Sequence, residues 1–285
     1  MNFFSILVLA FVQGVCELLP VSSSAHVIIA EKLMGLDPTS PEMTLFLVML
    51  HTGTMFAVIV YFWSSWKERY FASSKIFWQF AKQVSVATVC TGIIGLTLMT
   101  LIEKVIFHGS AHTEIEHLFG NAYVIAAGLA TVGVMIIISA KQQSIDTSKD
   151  FGVRESAWIG VIQGICLPFR GLSRSGSTIS TGMFLGLDKM RAEEFSFALA
   201  VVLTPAVILK EGLRLFKSHE ASLLVTNNLV SIVWPSLLGM VFSFIAGLVA
   251  LKWLSGWLEH GKWHFFGYYC LSASIAVLAI NHFLP

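Results

Sequence analysis

At 285 residues, with 55% hydrophobic and only 12% charged residues and a mean hydropathy of +0.76, the chain is too apolar for a soluble domain, in which roughly a quarter of residues are charged. A net charge of +1 argues against a nucleic-acid partner, because no basic surface is left to hold phosphate chains. The length leaves room for about six to eight membrane spans of ~20 residues plus loops.

In chain order, Asn2 to Gln13 is an apolar run of about a dozen residues, too short to span alone. It has no basic leader and no small-residue cleavage site, so it is expected to be retained structure and not a signal peptide. Pro20 and Ser22-Ser23-Ser24 break the run, and a second short one follows from Ala25 to Leu36. Two short helices around a polar tip predict a re-entrant hairpin over 2–36, tolerated where protein or water lines the non-helical backbone. Asp37 to Pro41 is a turn cluster. Met43 to Phe62 is the first full span, with His51-Thr52-Gly53-Thr54 at mid-depth and Trp63 and Trp66 at its end. Lys67, Arg69, Lys75 and Lys82 mark a basic loop or surface helix. A second span covers Val84 to Ile106, a polar loop carries His108, His112, Glu114, Glu116 and His117, and a third span covers Asn121 to Ala140. The histidine cluster matches no strong metal spacing and reads as a solvated loop.

Residues 141–155 form a polar linker, after which the pattern restarts. Short runs at Ala157 to Leu167 and Thr178 to Leu187 flank a polar tip at Pro168 to Ser177, a second hairpin over 156–187. Spans at Glu194 to Leu213, Leu229 to Leu251 and His264 to Leu284 follow, the first with a kink expected at Pro205. The expected fold is an all-α polytopic membrane protein of two repeats, 1–140 and 156–285. Each repeat is one re-entrant helical hairpin plus three transmembrane helices. A hairpin returns to its own side while three spans cross, so the repeats are inverted and the two tips meet near the midplane. Eleven lysines and arginines fall on one face, among them Lys67, Arg69, Lys75, Lys189 and Arg191, against five on the other. That bias puts the first face and the linker in the cytoplasm and both termini outside.

The two tips share a motif. Gln13-Gly14-Val15-Cys16 recurs as Gln163-Gly164-Ile165-Cys166, each followed by a proline and a Ser-rich turn. Cys16, Cys90, Cys166 and Cys270 form no C-x-x-C pair and read as small buried apolar residues. Gln13 and Glu17 lie four apart, on one helix face. A carboxylate at membrane depth is costly unless a proton or cation compensates it. A divalent metal that also clamps substrate phosphates would do so, with Glu17 and Gln13 as ligands; the plain alternative is a packed, protonated acid. Ser22, Ser23 and Ser24 offer hydroxyls and amides at a helix N-terminus, which suits an anion, a nucleophile or simple capping. His26 is a proton relay or a hydrogen-bonded interior histidine. In the second tip, Arg174 is a permanent cation whose fork fits phosphate oxygens, or a partner for Glu17. Ser173, Ser175, Gly176 and Thr178 surround it, and Arg170 is a further phosphate contact or an interfacial residue. No G-x-x-x-x-G-K-[ST] nucleotide loop occurs.

These motifs resemble those of the undecaprenyl-diphosphate phosphatase family, the bacitracin-resistance integral membrane enzymes. The likeness lies in Gln13…Glu17 followed by Pro20-Val21-Ser22-Ser23-Ser24-Ala25-His26, in Arg170-Gly171-Leu172-Ser173-Arg174-Ser175-Gly176-Ser177-Thr178, and in Glu194-Phe195-Ser196-Phe197. It covers nearly the whole chain. The resemblance implies hydrolysis of a C55 polyprenyl diphosphate to the monophosphate plus phosphate, with Mg²⁺ or Ca²⁺ as cofactor and a site open to the periplasmic side of a bacterial inner membrane. By analogy Glu17 serves the metal or acts as base, Ser23 is the nucleophile, His26 relays protons and Arg174 holds phosphate. Gln13 stands where many relatives carry Glu, and Arg170 where the family usually has Pro. The expected partners are the polyprenyl diphosphate lipid and membrane lipids, and a homodimer is left open. A polyprenyl-lipid flippase or other transporter on the same inverted scaffold is the alternative function.

Overall fold

The computed structural model describes residues 2–37, 40–105, 121–142, 151–169, 171–217 and 229–283. The helices among them are α1 (Phe3–Leu18), α2 (Ser23–Leu33), α3 (Pro41–Tyr70), α4 (Ser74–Val105), α5 (Ala122–Ala140), α6 (Val153–Cys166), α7 (Arg174–Phe184), α8 (Lys189–Lys217), α9 (Leu229–Glu259) and α10 (His264–Phe283). Six of these, α3, α4, α5, α8, α9 and α10, are long and apolar enough to cross a membrane. Phe56, Val60, Val89, Ile93, Val241 and Ile245 on them are exposed, as lipid-facing side chains are and a soluble helix's outer face is not. At ~1.5 Å per residue α1, α2, α6 and α7 fall short of a ~30 Å hydrocarbon core. Among the described helices, two short ones and then three long ones therefore occur twice along the chain.

Several boundaries differ from the sequence expectation, each for a local reason. α1 continues past Gln13 to Leu18, since nothing before Pro20 stops it. Leu19 is extended at φ −72, ψ 152, the conformation that a following proline favours. Lys67, Arg69, Lys75 and Lys82 do not form a separate loop or surface helix: α3 runs on to Tyr70 and α4 resumes at Ser74. Long basic side chains extend from the ends of such spans without breaking them. α7 starts at Arg174, inside the expected tip, because Ser173 caps it by accepting a hydrogen bond from the Gly176 amide at 3.3 Å. The polar loop with His108, His112, Glu114, Glu116 and His117 lies outside the described residues, as do 143–150 of the linker and Arg170.

The chain divides into two compact units. One comprises Met1–Leu19, Ser23–Ser64 and Ala200–Leu254. Its core joins Ile6, Leu9 and Ala10 of α1 to Val27 of α2 and Met43, Phe46 and Leu50 of α3. Here Gly14 lies so close to α9 that a Cβ on it would sit 2.6 Å from Ala246 Cβ and 2.7 Å from the Ser243 carbonyl. Small residues at helix crossings are what membrane packing selects, since lipid gives apolar side chains no reason to leave it.

The other unit comprises Pro20–Ser22, Ser65–Leu199 and Ser255–Pro285. α6 packs on α4 and α10 on α5. Gly164, the counterpart of Gly14, meets Ile94 and the Thr91 carbonyl, each 2.9 Å from a notional Cβ. The Glu194-Phe195-Ser196-Phe197 stretch of α8 proves to be a junction. Preceding it, Glu193 accepts a hydrogen bond from Ser255 Oγ at 2.7 Å. Glu194 accepts one from Ser65 and pairs with Arg69 at 3.2 Å. Ser196 Oγ lies 2.6 Å from Thr178 Oγ1. One turn of α8 is thereby tied to the ends of α9 and α3 and to the first turn of α7.

Candidate active site

In the first unit, three elements converge on one carboxylate. The i, i+4 spacing puts Gln13 and Glu17 on the same face of α1, and Gln13 Nε2 donates to Glu17 Oε2 at 3.3 Å. Ser23 opens α2, and its hydroxyl donates to the same Glu17 oxygen at 2.7 Å. His51 comes from the middle of α3, with Nδ1 3.0 Å from Gln13 Nε2 and 3.8 Å from Glu17 Oε2. Gln13 is 2% exposed and the Glu17 side chain 18%. Half-buried, the acid accepts from a hydroxyl and an amide, with an imidazole 3.8 Å away, and hydrogen bonds to an ion are worth more than neutral ones.

Two proton arrangements fit these distances. With Gln13 donating to Nδ1, His51 is neutral there and Glu17 keeps its bonds from Ser23 and Gln13. With Nδ1 protonated, His51 faces Glu17 and the Gln13 amide, turned over, presents its oxygen. Ser24 and His26 lie on the first turns of α2, both half-buried. The structure therefore brings Gln13, Glu17 and Ser23 together as the sequence motif suggests.

His51 is the member that sequence reasoning leaves without a role. It is legible as a polar residue inside an apolar span. Its contact with Gln13, 38 residues away in the chain, depends on α3 packing against α1 through the Phe46 and Leu50 core.

The second unit holds the other set. Arg174 is the first residue of α7 and is half-buried. Ser173, Ser175, Gly176 and Thr178 are buried around it. Thr178 Oγ1 donates to the Arg174 carbonyl at 2.8 Å and faces Ser196, while Ser173 Oγ caps Gly176 and lies 3.3 Å from Ser175 Oγ. These hydroxyls brace the turn that carries the guanidinium. Pro20, Val21 and Ser22 of the first tip belong to this unit. A Cβ on Gly176 would lie 3.1 Å from Pro20 Cβ, and Cys270 Sγ donates to the Pro20 carbonyl at 3.2 Å. Ser22 sits at φ 66, a left-handed conformation that costs a non-glycine residue about 1 kcal/mol or more and gathers at functional sites. It turns the chain from Pro20 into the first turn of α2.

The repeated Gln-Gly motif differs between its copies. Gln163 is fully buried and donates to Thr91 Oγ1 at 3.3 Å, and Thr91 in turn donates to the Gly160 carbonyl at 3.0 Å. Four residues on, where the first copy has Glu17, the second has Leu167. Of the two copies, the first alone carries a carboxylate at this position.

Among the described residues no three His, Cys, Asp or Glu side chains group closely enough to hold a metal by themselves. Glu17 is the carboxylate of the first cluster, with the Gln13 amide and the Ser23 hydroxyl beside it. That fits a hard cation held by one carboxylate and by phosphate oxygens brought by a substrate. It does not fit a dedicated all-protein cage.

Residues 6–276 match the family model described as bacitracin resistance protein BacA. Undecaprenyl-diphosphatase 2 of Acinetobacter baylyi is 56% identical over 98% of both chains. Proteins named undecaprenyl-diphosphatase from Christiangramia forsetii and Bdellovibrio bacteriovorus are 31% and 30% identical, covering 98% of this chain and 98% and 96% of their own.

Proposed function

The chain belongs to the bacitracin resistance protein BacA family, and on that premise we propose that it is a membrane phosphatase hydrolysing undecaprenyl diphosphate to undecaprenyl phosphate and inorganic phosphate. The reaction returns the lipid carrier to cell-wall synthesis, and removal of the diphosphate is how such an enzyme confers bacitracin resistance. The relatives named above are all diphosphatases, and the transport reading finds no support among them.

The observation that carries the chemistry is the 2.7 Å hydrogen bond from Ser23 Oγ to Glu17 Oε2. It is the nucleophile–base geometry that activates an otherwise weak hydroxyl. Ser23 Oγ attacks the terminal phosphorus as Glu17 takes its proton. The bridging P–O bond breaks, and undecaprenyl phosphate leaves with the bridging oxygen. Water, deprotonated by the same acid–base pair, then cleaves the phosphoserine and releases phosphate. His51, in contact with Gln13 and within 3.8 Å of Glu17, carries the proton onward, and His26 is assigned the same duty on the α2 side. Arg174 neutralises phosphate oxygens, with Ser22, Ser24 and the α7 amides as further donors. Thr178, its hydroxyl spent on the Arg174 carbonyl and Ser196, positions the arginine.

A Mg²⁺ or Ca²⁺ ion at Glu17 and Gln13 would supply charge neutralisation on the diphosphate. Phosphate release from undecaprenyl diphosphate in detergent is expected to stop with a chelator and return with either ion. Gln13→Glu is expected to lower the metal concentration for half-activation roughly tenfold, since it adds a second carboxylate ligand. Activity unaffected by chelation would remove the metal from this account.

The site is assigned to the periplasmic side, opposite the face richer in Lys and Arg, with both termini also outside. The recurring order of two short and three long helices supports inverted repeats over 1–140 and 156–285.

A further inference from the structure

A pocket lies within the second unit, lined by Arg69 and Tyr70 of α3, Ile76, Gln79, Phe80 and Gln83 of α4, Phe151, and Arg191 and Phe195 of α8. We propose that it is a binding site for the phosphate of an anionic phospholipid headgroup, held by Arg191, Arg69 and Gln79 and distinct from the residues assigned to hydrolysis.

Charge is the first reason. Glu194 holds Arg69 from inside, at 3.2 Å, and also accepts hydrogen bonds from Ser65 and the Tyr70 hydroxyl. Its carboxylate therefore belongs to the wall, and it pairs with Arg69 there. Arg191 is half-buried, and among the described residues it makes no ion pair. Two guanidinium groups against one carboxylate leave the pocket with a net positive charge. A partly desolvated guanidinium without an anion is costly, so the site is complete only with one. Arginine's planar fork suits phosphate in particular.

Depth is the second reason. Tyr70 ends α3, Ile76 and Gln79 belong to the first turns of α4, and Arg191 to the first turn of α8. All three are membrane-crossing helices, so their ends lie where lipid phosphates are. These ends belong to the face carrying eleven of the sixteen assigned Lys and Arg residues, where anionic lipid is drawn. The third reason is the wall. Tyr70 stacks on Phe80 with centroids 3.8 Å apart, and Phe151 packs edge-on against Phe195 at 4.3 Å. An aromatic side next to two cations suits a headgroup with its glycerol and first methylenes, whereas a free inorganic ion would use the cations alone.

The test is native mass spectrometry of the whole protein in detergent, titrated with phosphatidylglycerol and, separately, with phosphatidylcholine. Wild type is expected to retain phosphatidylglycerol preferentially. Arg191→Gln is expected to weaken that retention roughly tenfold or more, the loss of one charge-assisted contact. Lys75→Gln, at an exposed position on α4 outside the pocket, is expected to leave it unchanged. Undiminished hydrolysis by Arg191→Gln in detergent shows that the variant is folded. If hydrolysis is absent from wild type as well, the thermal melt serves that purpose and the lipid titration stands by itself. Equal retention by wild type and Arg191→Gln overturns the proposal. So does equal binding of the two lipids, or displacement of phosphatidylglycerol by inorganic phosphate at matching concentration.

Discussion

Glu17→Gln is expected to lower kcat for diphosphate hydrolysis by about a thousandfold, within the range that positioned proton-transfer groups supply. The substitution keeps the volume of the side chain and an oxygen able to accept from Ser23 Oγ, so α1 and its packing on α2 and α3 stay as they are. It removes the two properties that the proposed reaction uses: the ability to take a proton from Ser23, and a full negative charge for a cation. His51→Ala is a useful contrast. It deletes a neighbour 3.8 Å from the acid but leaves the 2.7 Å Ser23–Glu17 bond, so its loss is expected to be about tenfold. The measurement is phosphate release from detergent-solubilised undecaprenyl diphosphate at saturating Mg²⁺ or Ca²⁺. A Glu17→Gln enzyme working within tenfold of wild type would refute the role given to this acid.

Arg174→Ala is expected to cost about a hundred- to a thousandfold in kcat/KM, the scale seen when a preorganised donor to developing charge is deleted. Arg174→Lys keeps the charge but not the fork and recovers only part of this. The backbone of the turn is held by Ser173, Thr178 and Ser196 through their own hydrogen bonds. The alanine variant is therefore expected to melt close to wild type by circular dichroism. A normal melt with normal activity would take Arg174 out of the reaction.

Much of the helical order is legible in the sequence because composition alone forces it. Runs of ~20 apolar residues have few alternatives to a spanning helix, and Pro20 and the serines mark where short helices stop. Gln13 and Glu17 are legible as a pair because i, i+4 spacing acts within one helix. His51 is not, since its role depends on α3 packing against α1. The helix ends are misjudged where polar residues begin, as at Lys67–Lys82 and Arg174–Ser177. Polarity there reflects the level of the membrane surface or a buried hydroxyl cluster, and neither breaks a helix. Thr178 looks like a phosphate contact among other hydroxyls, whereas its bonds to the Arg174 carbonyl and Ser196 need the α7–α8 junction to be seen.

The two Gln-Gly motifs have parted company. Among the described residues the fully buried Gln163 side chain bonds to Thr91, with Leu167 where an acid would be, while Gln13 touches both ionisable groups of its cluster. On the proposed reaction the first copy carries the reactive groups, and the second, with Leu167 in the acid's place, serves as masonry. A substitution at Gln13 is then expected to show in turnover, and one at Gln163 in folding yield.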